Sequence, residues 1–81
     1  MVHENVEKIR AAKGITKTFI ARKLGLTLQG YRHIASGNVR LDTERLKIIS
    51  GALGEEAAIF LSNELTDSVI KRLTGKIAST A

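Results

Sequence analysis

Two threonines fix the local architecture of this 81-residue chain. Thr16 and Thr27 each follow an apolar residue, Ile15 and Leu26, and each precedes a short stretch with helical apolar spacing. A threonine hydroxyl at such a point accepts from an amide two or three residues on, satisfying a donor that the first helical turn leaves open. Ile15 has an apolar partner in Ile20 and Leu26 has one in Tyr31, the spacing of a hydrophobic staple across a helix start. Gly25 lies between the two stretches, where a helix end calls for a left-handed residue. The segment Thr16 to Gly37 therefore predicts two short helices joined by a tight turn, with Ala21 small enough to let them approach closely.

The rest of the chain is helical in pattern too. Proline is absent and alternation of β-branched residues is weak. A first helix is expected from about Glu4 to Lys13, with Val6, Ile9 and the stem of Lys13 on one side. The second helix offers Phe19, Ile20, Ala21 and Leu24 for burial. Gly14, Gly37 and Gly54 close other apolar-periodic segments as Gly25 does. After a polar loop from Asn38 to Leu41, Asp42 or Thr43 caps a fourth helix whose buried stripe is Leu46, Ile49 and Leu53.

A further helical stretch begins near Glu55, where Glu55 and Glu56 suit the positive end of a helix, and it contains the apolar run Ala57 to Leu61. Leu65, Val69 and Leu73 then recur every fourth residue, either as one more amphipathic helix or as an extension of the last. Their stripe either packs within the domain or forms a dimer or partner surface. The expected fold is all-α, a compact bundle of five short helices, or six if the last stretch stands alone. A chain of this length makes one small domain, placed at residues 1–75 and followed by a frayed tail at 76–81.

Composition excludes several functions. There is no cysteine, so disulfides, thiolate metal sites and cysteine nucleophiles are ruled out, in keeping with a cytoplasmic location. His3 and His33 lie far apart and do not form a metal-site spacing, so neither a metal nor another cofactor is expected. His3 is expected to be solvated. No glycine-rich phosphate loop and no paired carboxylates beside a histidine occur, which argues against an enzyme. No apolar run approaches the roughly 20 residues of a membrane helix, and Met1 to Gly14 lacks the apolar centre of a signal peptide.

Charge is unevenly shared. Residues 1–40 hold eight lysines and arginines against Glu4 and Glu7, whereas residues 41–81 hold five bases against six acids. A basic half joined to a near-neutral half is the footprint of a polyanion-binding surface. The third helix supplies that surface with a reading face. At 100° per residue Tyr31, Ile34 and Ala35 share one side, while Gln29, Arg32, His33 and Ser36 share the other.

The polar side matches what a base edge requires. Gln29 can donate and accept at once, as adenine's N6 and N7 demand. Arg32 can address guanine or a phosphate, His33 a base edge or a backbone oxygen, and Leu28 a thymine methyl. Lys17, in the first turn of the second helix, can hold a phosphate together with that helix's dipole. Thr27, Ser36, Asn38 and Arg40 extend the same anchoring, setting register while the outward face sets sequence.

These residues resemble the phage Cro/repressor (XRE-type) helix-turn-helix family over roughly Asn5 to Leu61. The matching pieces are NVEKIRAAKGIT, the Thr–Lys start of the second helix, FIARKLGLT, the ASGN loop and the LKIISGALG helix. The resemblance implies a lambda-repressor-like domain of five helices, often a homodimer, that binds paired half-sites of a double-stranded DNA operator as a transcriptional regulator. The contacting positions it implies are Lys17, Thr27, Leu28, Gln29, Arg32 and His33, with loop contacts near Ser36, Asn38 and Arg40. An antitoxin or anti-repressor acting on a regulatory protein partner is the alternative use of the same fold.

The chain also departs from that family. Many members have an acid where this chain has Ala35, often paired with the arginine that matches Arg10. Without that acid, Arg10 is expected to be free for solvent or phosphate. Tyr31 replaces a small aliphatic residue, and Gly30 lies within the recognition helix at a cost of about 1 kcal/mol relative to alanine.

Overall fold

The computed structural model describes residues 1–79, and the side chains of residues 1–74. Six helices follow one another: α1 (Val2–Ala12), α2 (Lys17–Leu24), α3 (Leu28–Ala35), α4 (Thr43–Leu53), α5 (Ala57–Leu61) and α6 (Asn63–Ser79). Among the described residues there is no strand. The all-α expectation holds, with the last stretch as a helix of its own.

Helix starts follow the capping residues. Thr16 Oγ1 accepts from the Phe19 amide and Thr27 Oγ1 from the Gly30 amide, both at 3.1 Å. Asp42, the first of the two candidate caps for α4, accepts from the Arg45 amide at 2.8 Å. Ser62 separates α5 from α6: its backbone is extended (φ −122°, ψ 123°) and its hydroxyl accepts from the Leu65 amide. That break is why the apolar repeat after Leu61 starts afresh rather than continuing α5.

The ends of α1 to α4 share one pattern. After α2, Gly25 adopts φ 69°, its amide donates to Arg22 O and the Leu26 amide donates to Ala21 O. This Schellman pair satisfies two open carbonyls and turns the chain sharply toward α3. The same two bonds recur at Gly14, Gly37 and Gly54, each with positive φ.

Every helix contributes to the interior. Val6 and Ile9 of α1, Ile20 and Ala21 of α2, Tyr31 of α3, Leu46, Ile49 and Leu53 of α4, Phe60 of α5 and Val69 of α6 form one buried cluster. Ile34 is buried as well. The buried amide of Asn5 donates to Phe60 O at 2.9 Å and to Asn63 Oδ1 at 3.0 Å, pinning α1 to the α5–α6 junction. Thr66, also buried, donates to Ile59 O at 2.6 Å across the same junction.

Some expectations change. α1 begins at Val2, earlier than the expected Glu4. Phe19 is 42% exposed rather than buried, because it lies outside the stripe defined by Ile20, Ala21 and Leu24. Glu55 does more than favour the start of α5: it receives Lys13 Nζ at 2.6 Å and Arg72 at 3.6 Å. The Leu65/Val69/Leu73 stripe divides. Val69 is only 5% exposed and belongs to the core, so it is not an outer contact surface; Leu73 packs against that core, and Leu65 alone is well exposed. The frayed tail expected at 76–81 concerns residues whose side chains, and at 80–81 whose backbone, lie outside the described residues.

Candidate nucleic-acid interface

The α2–Gly25–α3 unit is built so that one face of α3 can be polar without cost. Tyr31 and Ile34 are buried behind it, while Gln29, Arg32, His33 and Ser36 are all exposed on the other side. Leu28, in the first turn, is half-buried. The arrangement expected from helical periodicity is therefore present: the four polar side chains share an outward face.

The residues expected to anchor phosphates lie at the ends of the same unit and in the loop that follows. Lys17 is the first residue of α2, with Thr16 capping beside it. Thr27 uses an oxygen lone pair to cap α3, which leaves its hydroxyl hydrogen available to donate. Ser36 is less free, since its hydroxyl already donates to His33 O at 3.1 Å. That carbonyl also receives the amides of Asn38 and Val39, which shapes the loop in which Asn38 and Arg40 are exposed.

Electrostatics sharpens this picture. From Lys8 to Leu41 there is no acidic residue, yet eight lysines and arginines occur. Lys13 is engaged by Glu55 and Arg10 by Glu7, and Lys8 lies 3.9 Å from Asp67. Arg22, Lys23, Arg32 and Arg40 form no ion pair among the described residues. Uncompensated positive charge is thus concentrated on α2, α3 and the loop that follows. Lys23 also stands over the exposed Phe19 ring, 5.3 Å from its centroid, a cation–π pair on the outer side of α2.

Glu7 is the residue that sequence reasoning missed. Its Oε2 accepts from the Tyr31 hydroxyl at 2.7 Å and from Arg10 Nε at 2.8 Å, and its Oε1 lies 3.8 Å from Lys17 Nζ. Arg10 in turn donates to Ile15 O. The expectation that Arg10 would be free without an acid at Ala35 is therefore corrected: Glu7, one helical turn away in α1, takes the acid's place. A signal existed, because a core tyrosine needs a partner for its hydroxyl.

Burial alone would raise the pKa of Glu7. The hydrogen bonds from Arg10 and Tyr31, with the charges of Arg10 and Lys17, outweigh it and hold the carboxyl below its ordinary value. Burial, followed by the hydrogen bond to Glu7 and its charge, pushes the Tyr31 phenol upward.

His3 is a further correction. It is half-buried, its ring lying so close to Gly37 that a Cβ there would come within 2.8 Å of Nε2. Met1, Val2 and His3 line an open groove of about 590 Å³ with the loop from Gly37 to Leu41. Among the described residues no cluster of potential ligands could hold a metal ion, and no helix is long and apolar enough to cross a membrane.

Comparison with known proteins agrees with this geometry. The family profile described as Helix-turn-helix matches residues 6–60, from the middle of α1 to Phe60 of α5, and so includes the whole α2–α3 unit. No curated protein and no solved structure gives a significant match. With most of its length covered by that profile, the chain belongs to the Cro/repressor-like (XRE-type) helix-turn-helix family of DNA-binding regulators.

Proposed function

We propose that this protein is a sequence-specific transcriptional regulator, a small repressor of phage or mobile-element type that acts in the cytoplasm. Helix α3 enters the major groove, where Gln29, Arg32, His33 and Leu28 read base edges. Lys17, Thr27, Ser36, Asn38 and Arg40 hold the flanking phosphates. The protein acts as a homodimer on two half-sites about one helical turn, ~34 Å, apart. The observation that carries this reading is the exposed polar face of α3 set beside Arg22, Lys23, Arg32 and Arg40, which form no ion pair among the described residues.

The test is selection of bound fragments from a genomic library, followed by binding to the selected duplex over a range of salt concentrations. A selected sequence should emerge and its affinity should fall steeply with salt. Equal binding to every duplex, or affinity indifferent to salt, overturns the reading.

A second use of the fold, as an antitoxin or anti-repressor acting on another protein, is favoured by one observation. Leu61 and Leu65 are 64% and 47% exposed around the α5–α6 junction. Tight binding to a protein partner with no shift of any duplex, even at low salt, would select this alternative.

A further inference from the structure

One carboxylate on α1 reaches both helices of the proposed DNA-reading unit. Glu7 projects from α1, accepts from Tyr31 in α3 at 2.7 Å, and lies 3.8 Å from the ammonium of Lys17, the first residue of α2. Arg10 holds the carboxylate in place with bonds to both oxygens, at 2.8 Å and 3.4 Å. No acid stands between Lys8 and Leu41, and none but Glu7 forms an ion pair with a residue of α2 or α3 among the described residues.

We infer that Glu7 is a positioning residue for DNA recognition, one that raises the ratio of specific to non-specific binding by tethering α3 through Tyr31 and restraining Lys17 through charge. The inference rests on the reading of α3 as the base-contacting helix.

Two physical effects act in the same direction. Tyr31 is the fourth residue of α3, so its bond to Glu7 fixes the helix about its own axis and aims Gln29, Arg32 and His33. Gly30, just before it, weakens the helix locally and increases its dependence on that tether. The lysine is the second effect. A lysine on a flexible stem follows any nearby phosphate, and non-specific affinity grows with each phosphate so neutralised. With Glu7 close by, Lys17 gives up part of an existing attraction when it takes a phosphate. That exchange is favourable when base contacts already place the phosphate correctly, and much less so on an arbitrary duplex. Glu7 therefore taxes loose binding more than docked binding.

The experiment compares the wild type with Glu7→Gln, Tyr31→Phe, Lys17→Gln and the double variant Glu7→Gln/Lys17→Gln. Each is measured on the selected operator and on a random duplex of equal length, across a salt series, with melting curves recorded alongside. Glu7→Gln should bind the random duplex about threefold to tenfold more tightly, with a salt slope steeper by up to about one unit. Its specificity ratio should fall by an order of magnitude, on the order of one lost bidentate base contact. Tyr31→Phe keeps the carboxylate, so it should lower the ratio while leaving the salt slope unchanged. The slope change of Glu7→Gln should vanish in the double variant, since Lys17 carries it.

A structural role alone would move melting temperature but neither the slope nor its dependence on Lys17. If the wild type discriminates while folded Glu7→Gln and Tyr31→Phe keep its ratio and slope, the inference is wrong and the reading of α3 survives. If Glu7→Gln does not fold, an unaltered ratio in Tyr31→Phe is enough to overturn the tether. A wild type without preference for any duplex overturns both.

Discussion

The ammonium of Lys13, at the end of α1, donates to the carbonyl of Leu53 at 2.7 Å and closes the last turn of α4 from outside. The same ammonium meets Glu55 at 2.6 Å, a carboxylate whose side chain is only 8% exposed. One cation thus completes a helix end, where positive charge is favoured, and neutralises an acid shielded from water. Lys13→Met keeps the stem and removes both bonds, leaving Arg72 as the remaining partner of Glu55. It should cost about 1–3 kcal/mol in urea unfolding, part of which Lys13→Met/Glu55→Gln should restore. An unchanged midpoint would show that Arg72 suffices.

Gly30 is expected to be replaceable. A Cβ at this position would lie 3.4 Å from Thr27 Oγ1 and 3.5 Å from Leu26 Cβ, ordinary contact distances, and its φ is not positive. Gly30→Ala should therefore stabilise the fold by up to about 1 kcal/mol. Gly25→Ala should do the reverse despite open space around it, because φ is +69°; about 1 kcal/mol or more should be lost there. Thermal melts of the two variants, moving in opposite directions, check both.

Acid should expose the contribution of Glu7. Its folded pKa lies below the ordinary 4.5, so its stabilisation is complete above that pH and is lost as pH falls through the lower folded value. Wild type should exceed Glu7→Gln in melting temperature at neutral pH, and the gap should narrow below pH 4.5. For Tyr31 the shift is upward, so its advantage over Tyr31→Phe is present below pH 10.0 and declines as pH rises through the folded value. A gap between wild type and Glu7→Gln that stays constant from neutral to acid would contradict the assignment.

Base reading and phosphate anchoring should separate in binding experiments. Gln29→Ala should alter the sequence selected, at a loss of about 1–3 kcal/mol on the original operator. Lys17→Ala should weaken all specifically bound sites to a similar extent and flatten their salt dependence by about one unit, with a smaller change on a random duplex, where Glu7 already restrains the lysine. If Gln29→Ala leaves preference untouched, another residue reads that base.

What was legible in the sequence is what local rules govern. Thr16, Thr27 and Asp42 announce their helices because a cap depends on amides only three residues away. The outward face of Gln29, Arg32, His33 and Ser36 follows from helical periodicity, and so does the burial of Tyr31 and Ile34. The destination of the Tyr31 hydroxyl does not, since Glu7 reaches it from a different helix. The same holds for His3 against Gly37 and Lys13 against Leu53, contacts between distant parts of the chain that no spacing rule encodes. Ser62 was readable in principle as a cap, but the apolar repeat across it looks continuous until the backbone is seen to extend there.

The family profile stops at Phe60, yet the molecule's architecture does not. Asn5 binds across to Asn63, α6 lies along α1, and Val69 fills the interior beneath it. A fragment trimmed to the profile would leave α1 with a bare flank and would lose both Asn5 and the Asn63 it binds. The packed core therefore extends past the consensus motif, and the final helix is a wall of that core, not an appendage to it.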